Sequence, residues 1–362
     1  MTNANKVILF FIALVHISCE NSVESDDKKS LWVTPLEEAA TAALTMDEEY
    51  LYFSGVFKYF YRIRKMDGQK LRQEMNPGSL LGNPIIADSL VYSGTRGERL
   101  YCLNKNTLDK VWIKSGFAWN TIPSVGNYLY VTEENKISAL SKEDGNIVWS
   151  TEIIGRNAFN PVINDNNIYF VTGLRFKQDG YLYCINSLNG KVVFQKTIPY
   201  LEDRSQFGGS SAGVEVWNNY VYVPADNRNL YCFNKETGDS IWTFKMDATS
   251  ETPAKVSDGI VYTGTLNRTC YAVDAITGNL VWSYRTVGSI RRIPPQFHGD
   301  KVAFISGALI ICNKKNGNLI ADISTRTGGK YEYLSALWDT DGKMYLTGFN
   351  TNSEHLVLVL QF

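Results

Sequence analysis

The chain has 362 residues, of which 44% are hydrophobic and 20% charged, with 36 basic against 37 acidic side chains. Such a composition supports a buried core, and the charge balance leaves no cationic excess to neutralise a phosphate backbone, so no nucleic-acid partner is expected. The 21 Tyr, 17 Phe and 8 Trp suit pleated, half-buried surfaces and favour an all-β fold.

The first segment stands apart from the rest. Lys6 precedes the apolar run VILFFIALV (7–15), and HISC ends at Cys19. Nine apolar residues are too few to span a bilayer but fit the core of a signal peptide. Ser18 followed by Cys19 resembles a bacterial lipobox, with cleavage before Cys19 and lipid on its sulfur. His16 stands where that motif usually has an aliphatic residue, and the alternative is an ordinary secretory signal. Residues 1–18 are therefore expected to be a lipoprotein signal, and Cys19 the lipidation site. The polar stretch ENSVESDDKKS (20–30) completes a flexible tether over 19–30. The folded domain is expected over 31–362, on an outer membrane, facing periplasm or cell surface.

A phrase then repeats. In NLYCFNKETGDSIW (229–242), Cys232, Asn234, Gly238 and Trp242 are spaced as small-x-Asx-x-x-x-Gly-x-x-x-Trp. Ala272, Asp274, Gly278 and Trp282 repeat it, as do Ala139, Ser141, Gly145 and Trp149. Cys184, Asn186, Gly190 and Phe194 fit, and so do Cys102, Asn104 and Trp112 with Leu108 in the glycine position. Weaker copies surround Gly68 and Gly317. These positions recur at steps of 37 to 48 residues, the period of propeller blades with four short strands each. The Asx caps a hairpin turn, the glycine takes the left-handed position, and the Trp faces the next blade.

Seven turns are visible, and the last segment, 337–362, supplies three strands without a fourth. SLWVTPL (30–36) reads as an orphan fourth strand carrying its own Trp. Pairing 31–36 beside 355–361 would close an eight-bladed propeller and remove its free edges, with seven blades as the alternative.

The Ala-x-Asp-x-x-x-Gly-x-x-x-Trp phrase resembles the repeat of quinoprotein-type, PQQ-like β-propellers. With the lipobox, the chain is similar to BamB-type outer-membrane assembly lipoproteins. The resemblance implies a monomeric, non-catalytic scaffold without a cofactor, which binds a protein partner such as a β-barrel assembly complex. It leaves open a propeller that binds a small ligand or glycan, and a PQQ- and calcium-dependent dehydrogenase.

Enzyme chemistry has little support in the residues. Cys102, Cys184, Cys232, Cys270 and Cys312 show no CxxC or adjacent pair and are expected as buried free thiols. His298 and His355 lack ligand-spaced companions. DTDG (339–342) falls at a hairpin turn, and GGSSAG (208–213) lacks the strand–helix setting of a nucleotide loop.

The candidate site comes from the loops leading into each blade's innermost strand, which converge on one end of the channel. They cluster Trp119, Asn120, Asn157, Phe159, Arg291, Arg292, Tyr331, Glu332 and Tyr333. Aromatic and Arg residues dominate binding hot spots, so Trp119 and Arg291–Arg292 are the expected anchors. The plainer alternative pairs Arg291 with Glu332 and lets the aromatics fill the channel mouth. The long insertion 200–213 is expected as a flexible lip over this face.

Overall fold

The computed structural model describes residues 30–40, 44–75, 84–95, 99–116, 124–132, 135–155, 161–202, 207–323, 331–350 and 352–361. Cys19, the signal and the tether up to residue 29 lie outside them.

Eight four-stranded antiparallel sheets follow one another around a ring, making an eight-bladed β-propeller. Blade 6 shows the pattern: Lys255–Ser257, Ile260–Gly264, Thr269–Asp274 and Leu280–Arg285 step outward in sequence order. Blades 1 to 7 occupy 45–74, 85–115, 124–152, 162–198, 215–245, 255–285 and 296–322. Their short innermost strands pack side by side around the channel. The middle two strands of blade 6 are almost wholly buried, and its outer strand alternates between solvent and the next blade.

Blade 8 is made from both ends of the chain. Tyr331–Trp338, Lys343–Asn350 and His355–Gln361 supply three strands, and Ser30–Pro35 adds the outermost. Val33 pairs with Leu358, Thr34 with Val357 and Pro35 with Leu356, as the two unmatched half-units required.

The repeated phrase is the seam between blades. Asn234 accepts hydrogen bonds from the amides of Glu236 and Thr237 at 2.8 and 3.0 Å, and Asp274 does the same for Ile276 and Thr277. Gly278 and Gly317 follow at φ +73°. Their missing side chains make room for the Trp of the preceding blade: a Cβ at Gly278 would lie 2.7 Å from Trp242, and one at Gly317 would lie 2.7 Å from Trp282. The indole then donates to the carbonyl just after the Asx, Trp242 to Ala275 at 3.1 Å and Trp282 to Lys314 at 2.7 Å. A buried Tyr on the same blade as the Trp donates to the same carbonyl, Tyr222 to Ala275 and Tyr262 to Lys314, both at 3.0 Å. Trp112 and Trp149 repeat this bond, and Trp32 repeats it across the closure, donating to Lys65 at 2.9 Å.

Phe194 stands for the indole against Gly238 at the seam after blade 4, and the seam after blade 1 departs further. Blade 1 carries Arg72 in the Trp position and Arg62 in the small-residue position. Arg72 turns outward over Tyr59 and pairs with Glu37 at 2.9 Å. Arg62 lies over the Tyr50 ring and donates to the carbonyls of Lys105 and Asn106, where an indole would otherwise bond. Leu108, at φ +63° and wholly buried, fills the space over which an indole would lie. The missing glycine of the sequence motif is thus the counterpart of a missing Trp.

Cys102, Cys184, Cys232, Cys270 and Cys312 are buried free thiols. Burial pushes the Cys232 and Cys312 thiols up to about 12, which leaves them unreactive.

Candidate functional site

In a four-stranded meander, successive turns fall at opposite ends of the blade. The turn from second to third strand therefore shares a face with the loop leading into the next blade's inner strand. That face holds the candidate site, and its described part is best defined over blades 4 to 7.

Here the loops interlock. Leu266 N donates to Thr249 O at 3.0 Å, Ile290 N to Thr265 O at 3.2 Å and Arg292 N to Glu251 O at 3.1 Å. Glu251 and Arg291 form a parallel β-bridge, joining the lead-in loops of blades 6 and 7. Thr249 Oγ1 donates to Asp226 O at 2.8 Å, which ties this staircase to the second turn of blade 5.

The insertion 200–213 does not form the expected loose lip in its described part. Phe207–Gly209 pairs with Gly173–Phe176 as a two-stranded ribbon rising from blade 4. Glycines make the approach possible: a Cβ on Gly180 would lie 2.3 Å from Gly209 Cα, and one on Gly209 would lie 2.7 Å from Gly173 Cα. Beyond the ribbon, Ser210 Oγ donates to Pro224 O, and Ser211 reaches Asp226.

Of the anchors read from sequence, Arg291 and Arg292 lie on this face and are exposed. Arg292 sits at φ +60°, an uncommon backbone state for a residue with a side chain. Its Nε lies 3.7 Å from Glu251 Oε2. Tyr331, Glu332 and Tyr333 belong to the innermost strand of blade 8 rather than to a loop, and their side chains lie outside the described residues. Trp119, Asn120, Asn157 and Phe159 also lie outside them.

The structure adds residues that the repeat did not single out. Asp226 is 1% exposed. Its Oδ1 accepts from Ser211 Oγ at 2.7 Å and Ser211 N at 3.3 Å, while Oδ2 has no partner. Burial raises its carboxyl to about 7 against the bonds from Ser211, and the Glu251 charge pushes the same way. Asp247 is the contrast. Burial would raise it, but hydrogen bonds from Thr269, Thr265 and Asn267 prevail and hold it below the ordinary range. Asn227–Arg228 and Asn267–Arg268 occupy matching turns in blades 5 and 6, both arginines at positive φ, a repeat that does not mark Asp226 itself.

No three of His, Cys, Asp and Glu converge to hold a metal ion among the described residues.

A family model described as "Outer membrane protein assembly factor BamB" matches residues 113–201 and 178–348, more than half of the chain. The chain belongs to the BamB family. An outer membrane protein assembly factor BamB from Shewanella oneidensis is 22% identical over 221 residues, covering 56% of this chain and 52% of that protein. A tetrathionate hydrolase from Acidithiobacillus ferrooxidans is 23% identical over 235 residues, covering 54% of this chain and 46% of the hydrolase. The chain thus spans about half the length of these curated relatives. The crystal structure of BamB from Moraxella catarrhalis superposes with a TM-score of 0.73 at 16% identity, covering 92% of this chain and 98% of that one. That likeness to BamB concerns the fold.

Proposed function

We propose that this chain is a non-catalytic scaffold, held on an outer membrane by lipid on Cys19, which binds a protein partner in outer-membrane protein assembly. The observation that carries the reading is the family match over 113–348. The partner engages the face built from the lead-in loops, where exposed arginines stand on interlocked backbone rather than on free loops. Arg291 and Arg292 supply charged donors, and Trp119 the aromatic anchor. No quinone cofactor or calcium takes part in this reading.

Two experiments test it. Trp119→Ala with Arg292→Ala, in a protein whose melting midpoint is unchanged, is expected to lose at least tenfold in retention of a β-barrel assembly complex from solubilised membranes. Undiminished retention by the folded double variant would move the site to the outer blade edges. Cys19→Ala is expected to release exported protein from membranes into the soluble fraction. Persistent anchoring of the exported variant would refute the lipid attachment.

The relationship to a tetrathionate hydrolase favours a second reading, in which the same face binds and transforms a small molecule. Dye-linked oxidation of alcohols or sugars by the purified protein with added PQQ and Ca²⁺, or hydrolysis of tetrathionate, would favour it over the scaffold. We expect neither.

A further inference from the structure

We propose that Asp226 is a proton-operated clasp, which fastens the 207–213 segment to blade 5 when protonated and loosens it when ionised. The inference stands whatever the face binds.

Asp226 joins two elements that are otherwise separate in the chain. Its carboxyl holds Ser211 by both hydroxyl and amide, and its own amide donates to Gly209 O at 2.9 Å. Its carbonyl receives Thr249 Oγ1 from the lead-in loop of blade 6. Ser211, Gly209 and Thr249 thus all grip the same turn, and the Asp226 side chain is buried there.

The second carboxyl oxygen has no partner, and the charge that bears on it is that of Glu251, whose Oε2 also lacks a hydrogen bond. A carboxylate there would be a buried charge facing a like charge, compensated only by two bonds from Ser211. The other charged groups around it are otherwise disposed. Asp247 is turned to Thr265, Asn267 and Thr269, and Glu215 is paired with Lys255 at 2.8 Å. Residues 207–213 contain no titratable side chain. On the same turn, Arg228 has no carboxylate within ion-pair distance among the described residues. Arg292 is the nearest cation to Glu251, at 3.7 Å with three quarters of its side chain exposed, and Arg291 lies exposed beside it. Asp226, wholly buried and with one carboxyl oxygen unpartnered, is therefore the member that carries the proton.

The direction of the effect follows from linkage. A carboxyl raised on folding stabilises the native state below its unfolded value near 3.8, and that contribution is lost as pH rises towards about 7. The loss reaches roughly 10²- to 10³-fold in the folding equilibrium. Local relief is available first, because releasing Ser211 admits water to the ionised group without unfolding a blade.

The test is hydrogen exchange of the full-length protein between pH 5.5 and 8.5, corrected for intrinsic rates and followed at the amides of Ser211 and Asp226. In the wild type, protection at both is expected to fall at least tenfold between pH 5.5 and about 7 and to level off above. Asp226→Asn, which cannot ionise, is expected to keep protection flat across the range, and Ser211→Ala to be weakly protected at every pH. If Asp226→Asn perturbs the turn itself, the carboxyl ¹³C shift of Asp226 in the wild type still reports its titration. Protection independent of pH in the wild type, or a carboxyl that ionises near 4, would overturn the proposal.

Discussion

Replacing Trp282 with alanine is expected to destabilise the propeller by about 3–5 kcal/mol, the cost of a buried large-to-small change. The indole is 7% exposed. Its ring rests on Gly317, with Tyr262 at 5.9 Å and Phe304 edge-on at 6.5 Å between centroids. Alanine would leave a cavity bounded by two rigid blades, and Lys314 O would retain only the Tyr262 hydroxyl. Trp242→Ala should cost less, about 2–3 kcal/mol, because that indole is half-buried. Urea unfolding followed by Tyr and Trp fluorescence measures both. A Trp282→Ala variant within 1 kcal/mol of wild type would mean that the seam is not what holds blades 6 and 7 together.

Removal of residues 1–35 is expected to be at least as damaging, by roughly 5 kcal/mol or more, at about 1 kcal/mol for each lost hydrogen bond plus the buried Trp surface. Blade 8 would lose the strand paired with Leu356–Leu360 and expose a free apolar edge. Blade 1 would lose Trp32 from Gly68, and the Thr34 hydroxyl from the Gly68 carbonyl at 2.7 Å. The Lys65–Asp339 ion pair, at 2.5 Å and nearly buried, and the packing of Tyr345, Val357 and Val359 against Leu51, Phe53 and Ile63 would then be left to tie the closure. A peptide covering 30–36, added to the truncated protein, should raise its melting midpoint in proportion to concentration. No shift at saturating peptide, or a truncated chain as stable as the parent, would contradict the closure.

How far the sequence foretold the structure depends on whether a feature repeats. The seams were legible because Asx, Gly and Trp answer the same local packing problem in several blades, so each copy confirms the others. The closure was legible because Trp32 and three unmatched C-terminal strands were complementary remainders. Asp226 was not legible. It sits in a polar turn like many others, and its burial comes from a segment about fifteen residues upstream folding over it. The ribbon at 207–209 was missed for a similar reason, since glycine-rich composition signals mobility unless its partner strand is known. Arg292 was found by residue type and position, whereas its neighbour Glu251 emerged only from the juxtaposition of two lead-in loops.

The exchange at the first seam has a consequence for how this chain can vary. With Leu108 in place, a tryptophan at position 72 would find its resting place already filled. Glycine at 108 without that tryptophan would leave a void beside Tyr52, Val91 and Tyr101. Arg62 already occupies the Lys105 carbonyl that the indole would need. No single replacement among 62, 72 and 108 leads back to the ordinary seam without a less stable intermediate. These three sites are therefore expected to be strongly epistatic: each costs stability when changed alone, and they are tolerated only as a set, so descendants of this chain inherit the arginine seam as a unit.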